Sequence, residues 1–303
     1  MSTGRIFNGV AELVGNTPLV RLSRLSGVDG AEICAKLEAK NPSGSVKDRP
    51  ALAMLRAAER AGQLKPGDTV VEATSGNTGI SLAMLSAVHG YRCVLVMPED
   101  MAPTRQGLLR AYGAEIRITP AEEGMRGAVE EAVRLLEADP RAFMPRQFEN
   151  PENPEAHAQT TAIEVLNECD GKLDAIVAGV GTGGTLTGLA RVLKREIPGL
   201  RVVAVEPKQS AVLSGKKPGL HGLYGLGAGF VPSVLDRDLI DEVQMVSDQE
   251  AERVMGQLAK MEGLLVGPSS GANVHVALRL AKSLGAGKRI VTILCDTGER
   301  YLS

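Results

Sequence analysis

Lysine 47 sits inside the turn-forming run "NPSGSVKDR" (residues 41–49), just ahead of the helical stretch Ala51–Ala61. A helix N-terminus carries partial positive charge and disfavours an ammonium. Burial works in the same direction. A neutral amine is the form that condenses with an aldehyde. Two local structures fit the run. Either Ser45 caps the helix with Asp48 completing a capping box, or Asp48 is the cap and Pro50 falls in the first turn, where it costs no interior bond. Taken alone, the run also describes a solvated loop lysine.

Three further stretches place small polar residues where a strand passes into a helix. In "EATSGNTGIS" (72–81), Thr74, Ser75, Gly76, Asn77 and Thr78 fill such a turn. Free N–H groups at a helix start, helped by hydroxyls, bind phosphate or carboxylate. In "AIVAGVGTGGTLTG" (175–188), Gly181, Thr182, Gly183, Gly184 and Thr185 let backbone N–H groups approach a phosphate while the threonines donate. In "VGPSSGANVHVALRLA", Ser269 and Ser270 open a helix, which a plain serine cap would also explain. Gly179, Gly181 and Gly184 satisfy the spacing of a dinucleotide-binding turn, with Glu206 downstream as a ribose-binding acid. That competing reading leaves Lys47 and the 72–81 loop without a task. One ligand employs all four stretches: pyridoxal 5′-phosphate, which needs a lysine, a phosphate cradle and a partner for its ring nitrogen.

The elements that must position these residues alternate along the chain. Strands are expected at Thr69–Ala73, Arg92–Met97, Glu115–Thr119, Ala175–Ala178, Val202–Val205 and Arg289–Leu294, with amphipathic helical stretches between them. The alternation predicts βαβ units on parallel sheets, with ligands at the carboxyl ends of strands. The proline-rich run 144–157 is the best candidate boundary, and the unpatterned stretch 207–232 has the length of a mobile lid.

Composition excludes several classes. A net charge of −2 and the absence of tryptophan give no reason to expect nucleic acid or a membrane surface. Cysteines 34, 93, 169 and 295 are too scattered for a disulfide framework or zinc ribbon, and no metal is expected. No run of 18 apolar residues is present, and "MSTGRIFNGV" is no signal peptide, so a cytoplasmic protein is expected.

Six motifs, in order, then resemble the cysteine synthases: "GNTPLVRL" (15–22), "NPSGSVKDR", "EATSGNTGI", "QFENPENPEAH" (147–157), "GVGTGGTLTG" (179–188) and "GERYLS" (298–303). The stretch 205–232 resembles the A isozyme of O-acetylserine sulfhydrylase. Pro50, Pro268 and a chain ending at Ser303 depart from the usual family pattern. The lack of a haem segment and of a C-terminal regulatory pair sets the chain apart from animal-type cystathionine β-synthase. The resemblance implies an α/β fold of type II among pyridoxal-phosphate enzymes, like the tryptophan synthase β chain: two open, twisted, mostly parallel sheets flanked by helices. It implies a smaller mobile domain at 35–147 and a larger one from 1–34 and 148–303. The implied reaction makes L-cysteine from O-acetyl-L-serine and sulfide through an α-aminoacrylate. Related β-replacements, of the O-phosphoserine sulfhydrylase or cystathionine β-synthase type, are the neighbouring alternatives.

By the same resemblance, Lys47 is the Schiff-base lysine and catalytic base, and Asn77 meets the ring hydroxyl. Gly181, Thr182, Gly183, Gly184 and Thr185 form the phosphate cup, and Ser269 meets the pyridine nitrogen. Thr74, Ser75, Gly76, Thr78 and Gln147 hold the substrate carboxylate. A homodimer is implied, and the 72–81 loop is expected to capture the C-terminal tail of serine acetyltransferase.

Overall fold

A strand covered on both faces must be apolar on both faces, and "AIVAG" (175–179) and "RVVAVEP" (201–207) are such strands. In the first, Ala175 and Val177 face one core cluster while Ile176 and Ala178 face another on the opposite side of the sheet. The computed structural model describes residues 6–27, 29–99 and 103–302.

Among the described residues the strands are β1 (Leu19–Arg21), β2 (Glu32–Leu37), β3 (Thr69–Ala73), β4 (Arg92–Pro98), β5 (Glu115–Thr119), β6 (Ala142–Phe143), β7 (Ala175–Gly179), β8 (Arg201–Pro207), β9 (Glu242–Val246) and β10 (Arg289–Leu294). The α-helices are α1 (Asp48–Arg60), α2 (Asn77–His89), α3 (Pro103–Ala111), α4 (Gly124–Ala138), α5 (Glu152–Ala156), α6 (Ala162–Glu168), α7 (Gly184–Glu196), α8 (Asp248–Gln257) and α9 (Pro268–Leu284). They build two sheets, ordered β1-β2-β10-β7-β8-β9 and β5-β4-β3-β6. Only the β1–β2 pair is antiparallel.

The six expected strands all form. Those outside the expectation are short, lie at an edge or carry a charge inside. β2 reads "EICAKL", and its buried Lys36 disguises it. That ammonium donates to Thr17 O at 2.5 Å and to Glu168 at 2.7 Å, which makes its burial tolerable. β9 is a half-buried edge strand, and β6 has two residues.

The lysine-bearing helix follows neither expected cap. α1 starts at Asp48, Lys47 itself occupies the cap position, and Pro50 lies in the first turn. The Asp48 carboxylate turns back to accept from Ser43 N at 2.7 Å and from Ser81 Oγ at 2.5 Å. Those bonds outcompete a capping-box contact. Helix α5 lies inside the stretch expected to be irregular, and α6 follows it. A wide turn at His157–Thr161 joins them, closed by Ala162 N donating to His157 O. The segment after β8 is partly packed: Leu213, Leu223 and Leu226 are buried, whereas Leu220 is 99% exposed.

Candidate active site

Four chain segments meet at the carboxyl ends of β3, β7 and β10. The Lys47 turn is stitched to the end of β10. Val46 N donates to Cys295 O at 2.8 Å, Thr297 N donates to Gly44 O at 3.2 Å, and Ser45 pairs with Asp296. Asp48 ties the same turn to α2 through Ser81. Burial pushes the Asp48 carboxyl above its ordinary value, against the pull of its bonds from Ser43 and Ser81. Behind the turn, the buried Arg49 donates to Glu38 Oε2 at 2.7 Å and, through two nitrogens, to Glu164 at 2.7 and 2.8 Å. Burial alone would raise the Glu164 carboxyl, but Arg49 and Lys36 bring it down to about 2. This ionic cluster anchors α1 to α6, so Lys47 stands on a fixed base.

Asn77 begins α2, and Gly76, its cap, faces open space where a Cβ would meet nothing within 4 Å. The Asn77 amide donates to Asp296 Oδ2 at 2.6 Å, while its oxygen accepts from Arg300. Tyr301 also donates to Asp296 Oδ2, at 2.5 Å. Burial raises the Asp296 carboxyl, and its bonds from Tyr301 and Asn77 and the charges of Arg300 and Lys47 oppose that rise. Its Oδ1 is buried and has no hydrogen-bond partner among the described residues. Thr74 Oγ1 accepts from Gly76 N at 3.4 Å, and Thr78 donates to Gln147 Oε1 at 2.7 Å. Gln147 therefore turns its NH2 end away from Thr78. Ser75 sits between Thr74 and Gly76, half-buried.

The turn after β7 has no room for side chains. A Cβ on Gly181 would lie 2.0 Å from Gly225 O, and one on Gly184 would lie 1.9 Å from Asn153 Oδ1. Gly183 caps α7 at φ +86°, a conformation that favours glycine. Thr182 Oγ1 accepts from Asn153 Nδ2 at 3.0 Å and from Gly184 N at 3.3 Å. Thr185 Oγ1 lies 3.2 Å from His157 Nε2, whose Nδ1 meets Thr161 at 2.9 Å. Burial drives His157 well below the ordinary imidazole value, and the charges of Arg49 and Lys47 push the same way. The imidazole is neutral and orients Thr185 without adding charge. Ser269 is buried in the first turn of α9, its Oγ 3.9 Å from where a Cβ on Gly225 would lie, and its neighbour Ser270 accepts from Cys295 N at 2.9 Å.

All the residues singled out from sequence thus lie on one connected set of loops. The contacts also bring in Asn153, His157, Asp296 and Arg300, which sequence reasoning had not assigned, and give Asp48 a task other than capping. Asn153 and His157 lie in "QFENPENPEAH", where prolines drew attention away from the polar residues between them. The dinucleotide reading fails at Glu206. Its buried carboxylate accepts from Leu213 N at 2.8 Å, Ser214 N at 3.0 Å and Ser214 Oγ at 2.5 Å. It closes a turn, and three of its acceptor positions are taken by that turn.

Thiol nucleophiles and metals are also disfavoured. Burial raises the thiols of Cys34 and Cys295 to about 11 and that of Cys93 to about 12, and it raises Cys169 as well. Among the described residues no group of three or more metal-ligating side chains occurs.

The donor set fits pyridoxal phosphate. An amine is present, a glycine cradle opens a 13-residue helix, and a neutral hydroxyl and an amide open two other helices. Beside the Lys47 turn, the buried Asp296 Oδ1 is a polar atom left without a hydrogen-bond partner among the described residues.

Comparison with known proteins agrees. The family described as "Pyridoxal-phosphate dependent enzyme" matches residues 10–296. A cysteine synthase of Staphylococcus aureus is 50% identical over 297 residues, covering 98% of this chain and 96% of that protein. The crystal structure of a cysteine synthase from Entamoeba histolytica superposes with a TM-score of 0.97 at 41% identity, covering 100% of this chain and 91% of that one. An O-ureido-L-serine synthase structure gives 0.95 at 43% identity, covering 99% and 94%. The chain belongs to the family of pyridoxal-phosphate-dependent enzymes.

Proposed function

We propose that this enzyme makes L-cysteine from O-acetyl-L-serine and sulfide by replacing the substituent at Cβ. One observation carries the reading. The turn bearing Lys47 is bonded to the end of β10, and Asp296, just beyond that strand, holds Asn77. The bound cofactor supplies an aldehyde for an amine and a conjugated ring that withdraws negative charge from the substrate Cα.

Lys47 is the covalent anchor for that aldehyde. With its amine free, Lys47 would be the base that takes the Cα proton and later returns it. Gly181, Thr182, Gly183, Gly184 and Thr185 hold the phosphate, so the cofactor stays bound while Lys47 is detached. Asn77 bonds the ring oxygen. Thr74, Ser75, Gly76, Thr78 and Gln147 bind the substrate carboxylate and orient Cα. Acetate leaves Cβ with the electrons of the C–O bond, and hydrosulfide adds at the same carbon. Ser269 carries no charge and therefore does not fix a proton on the ring nitrogen, which favours elimination over transamination.

The smaller unit, within 35–147, closes over the larger one, 1–34 with 148–303, when the 72–81 loop takes its substrate; β2, through Leu37, stays with the larger sheet. The enzyme works in the cytoplasm as a homodimer. The C-terminal carboxylate of a serine acetyltransferase tail competes for the same loop. No described helix is long and apolar enough to cross a membrane.

Addition of O-acetylserine to the yellow protein should change its visible spectrum, and sulfide added afterwards should restore it with release of one cysteine per active site. A protein that binds the cofactor yet shows neither change defeats the substrate assignment.

A further inference from the structure

Glu72 is a buried carboxylate on β3, 5% exposed, just before the loop that carries Thr74. It accepts a hydrogen bond from Arg146 N at 2.9 Å, and the N–H of Gln147 faces the same carboxylate. β6 pairs with β3 only as far as Phe143 opposite Val70, so residues 146–147 cross the end of β3 after the ladder has stopped. The carboxylate takes over the bonds that a longer strand would have made. Buried N–H groups require such partners, but a carboxylate is a costly way to provide them.

What the bonds hold is a strained turn. Arg146 has φ +53°, in the left-handed region that a residue with a Cβ rarely adopts. Its own side chain does not call for this: the guanidinium reaches outward, 3.9 Å from Glu149, and both are mostly exposed. The backbone does. The turn sends the Gln147 side chain to Thr78 at 2.7 Å and the Gln147 carbonyl to Asn153 Nδ2 at 2.7 Å. Asn153 in turn bonds Thr182 of the glycine-rich loop. Glu149 N and Asn150 N both donate to Arg146 O at 2.9 Å and close the far side.

We propose that Glu72 is a positioning residue for the amino-acid substrate: by accepting the N–H of Arg146, it holds the left-handed turn that presents Gln147 beside Thr78. The inference rests on the reading that Gln147 and Thr78 face the substrate carboxylate.

The test compares the holoenzymes of Glu72→Gln, Gln147→Ala and the double variant with the parent. An amide at position 72 opposes one of the two N–H groups with an N–H of its own. The expected result for Glu72→Gln is retained cofactor absorbance, a KM for O-acetylserine raised about tenfold and a kcat within about threefold. Gln147→Ala should behave alike, and the double variant should be no worse than Gln147→Ala, because the two act as one unit. In the cofactor-free protein, hydrogen exchange at the amides of residues 146 and 147 should be faster in Glu72→Gln than in the parent.

Glycine adopts positive φ without strain, so Arg146→Gly should shrink the KM penalty of Glu72→Gln. If Glu72→Gln does not fold alone, the same comparison is made with Glu72→Asp. A raised KM in Gln147→Ala with normal KM and normal exchange in the Glu72 variants overturns the role of Glu72 and leaves Gln147 in place. An unchanged KM in Gln147→Ala overturns both, and the fault then lies in the carboxylate-site reading.

Discussion

Glu72 yields a prediction about stability whose sign is not intuitive. Burial raises its carboxyl from 4.5 to about 7. The N–H groups of Arg146 and Gln147 and the charge of Arg146 pull it back, and Glu149 adds a further upward push. Because the folded value is the higher one, the folded protein favours the protonated form. The contribution of Glu72 to stability is fully present below pH 4.5 and is lost as the pH rises through about 7. Between pH 5 and pH 8 the loss integrates to about 2–3 kcal/mol, since each tenfold change in proton affinity between the folded and unfolded chain is worth about 1.4 kcal/mol. For a cooperative unit of this length that corresponds to about 4 °C in Tm. Glu72→Gln carries no charge at any pH, so its Tm should fall less than the parent's over this range. The assay is calorimetry of the cofactor-free proteins at pH 5, 6, 7 and 8, without the cofactor because a ligand bound only to the native state would shift both curves. Parallel Tm curves for parent and variant would refute the reasoning. A variant that is as stable as the parent at pH 8, yet binds substrate worse, fits a carboxylate kept for position at a cost in stability.

Other outcomes follow from the same contacts. Gly181→Ala puts a Cβ 2.0 Å from Gly225 O, so the cradle must open, and fluorescence titration should show cofactor affinity down by about tenfold or more. Arg49→Met strips Glu38 of its buried cationic partner, leaves Glu164 with Lys36 alone, and should cost about 3–5 kcal/mol in denaturant unfolding, whereas a loss near zero would mean the cluster is not ionic. Ser269→Asp places a negative charge in the first turn of α9 and should shift product analysis from replacement toward transamination. An unchanged product profile would remove Ser269 from the account of reaction choice.

The strands buried on both faces were legible because their apolar runs are short, β-branched and bounded by turns. β2 was not, because Lys36 looks like a surface residue until Thr17 O, Glu164 and Glu168 are brought to it from far along the chain. Helix α5 was hidden by Pro151 and Pro154, although a proline is harmless at a cap or in the first turn. α8 had a legible start: Ser247 and Glu250 form a reciprocal capping box that the spacing S-x-x-E announces. In the site, the loop residues stood out because glycine, threonine and serine cluster at helix starts. Their supports did not. Asp48, Asp296 and Arg300 act through contacts between distant segments, and Glu72 looks like one more strand residue until the backbone of residues 146–147 lies across it.

The central claim is that the amine of Lys47 carries the cofactor. Borohydride reduction of the yellow holoenzyme, followed by proteolysis and mass mapping, tests it directly. The expected result is one peptide, containing residues 41–49, with the pyridoxyl phosphate mass fixed on Lys47, and a Lys47→Ala protein that folds, gains no covalent label and loses turnover by about 100-fold or more. A label on another lysine, or wild-type turnover in Lys47→Ala, would contradict it.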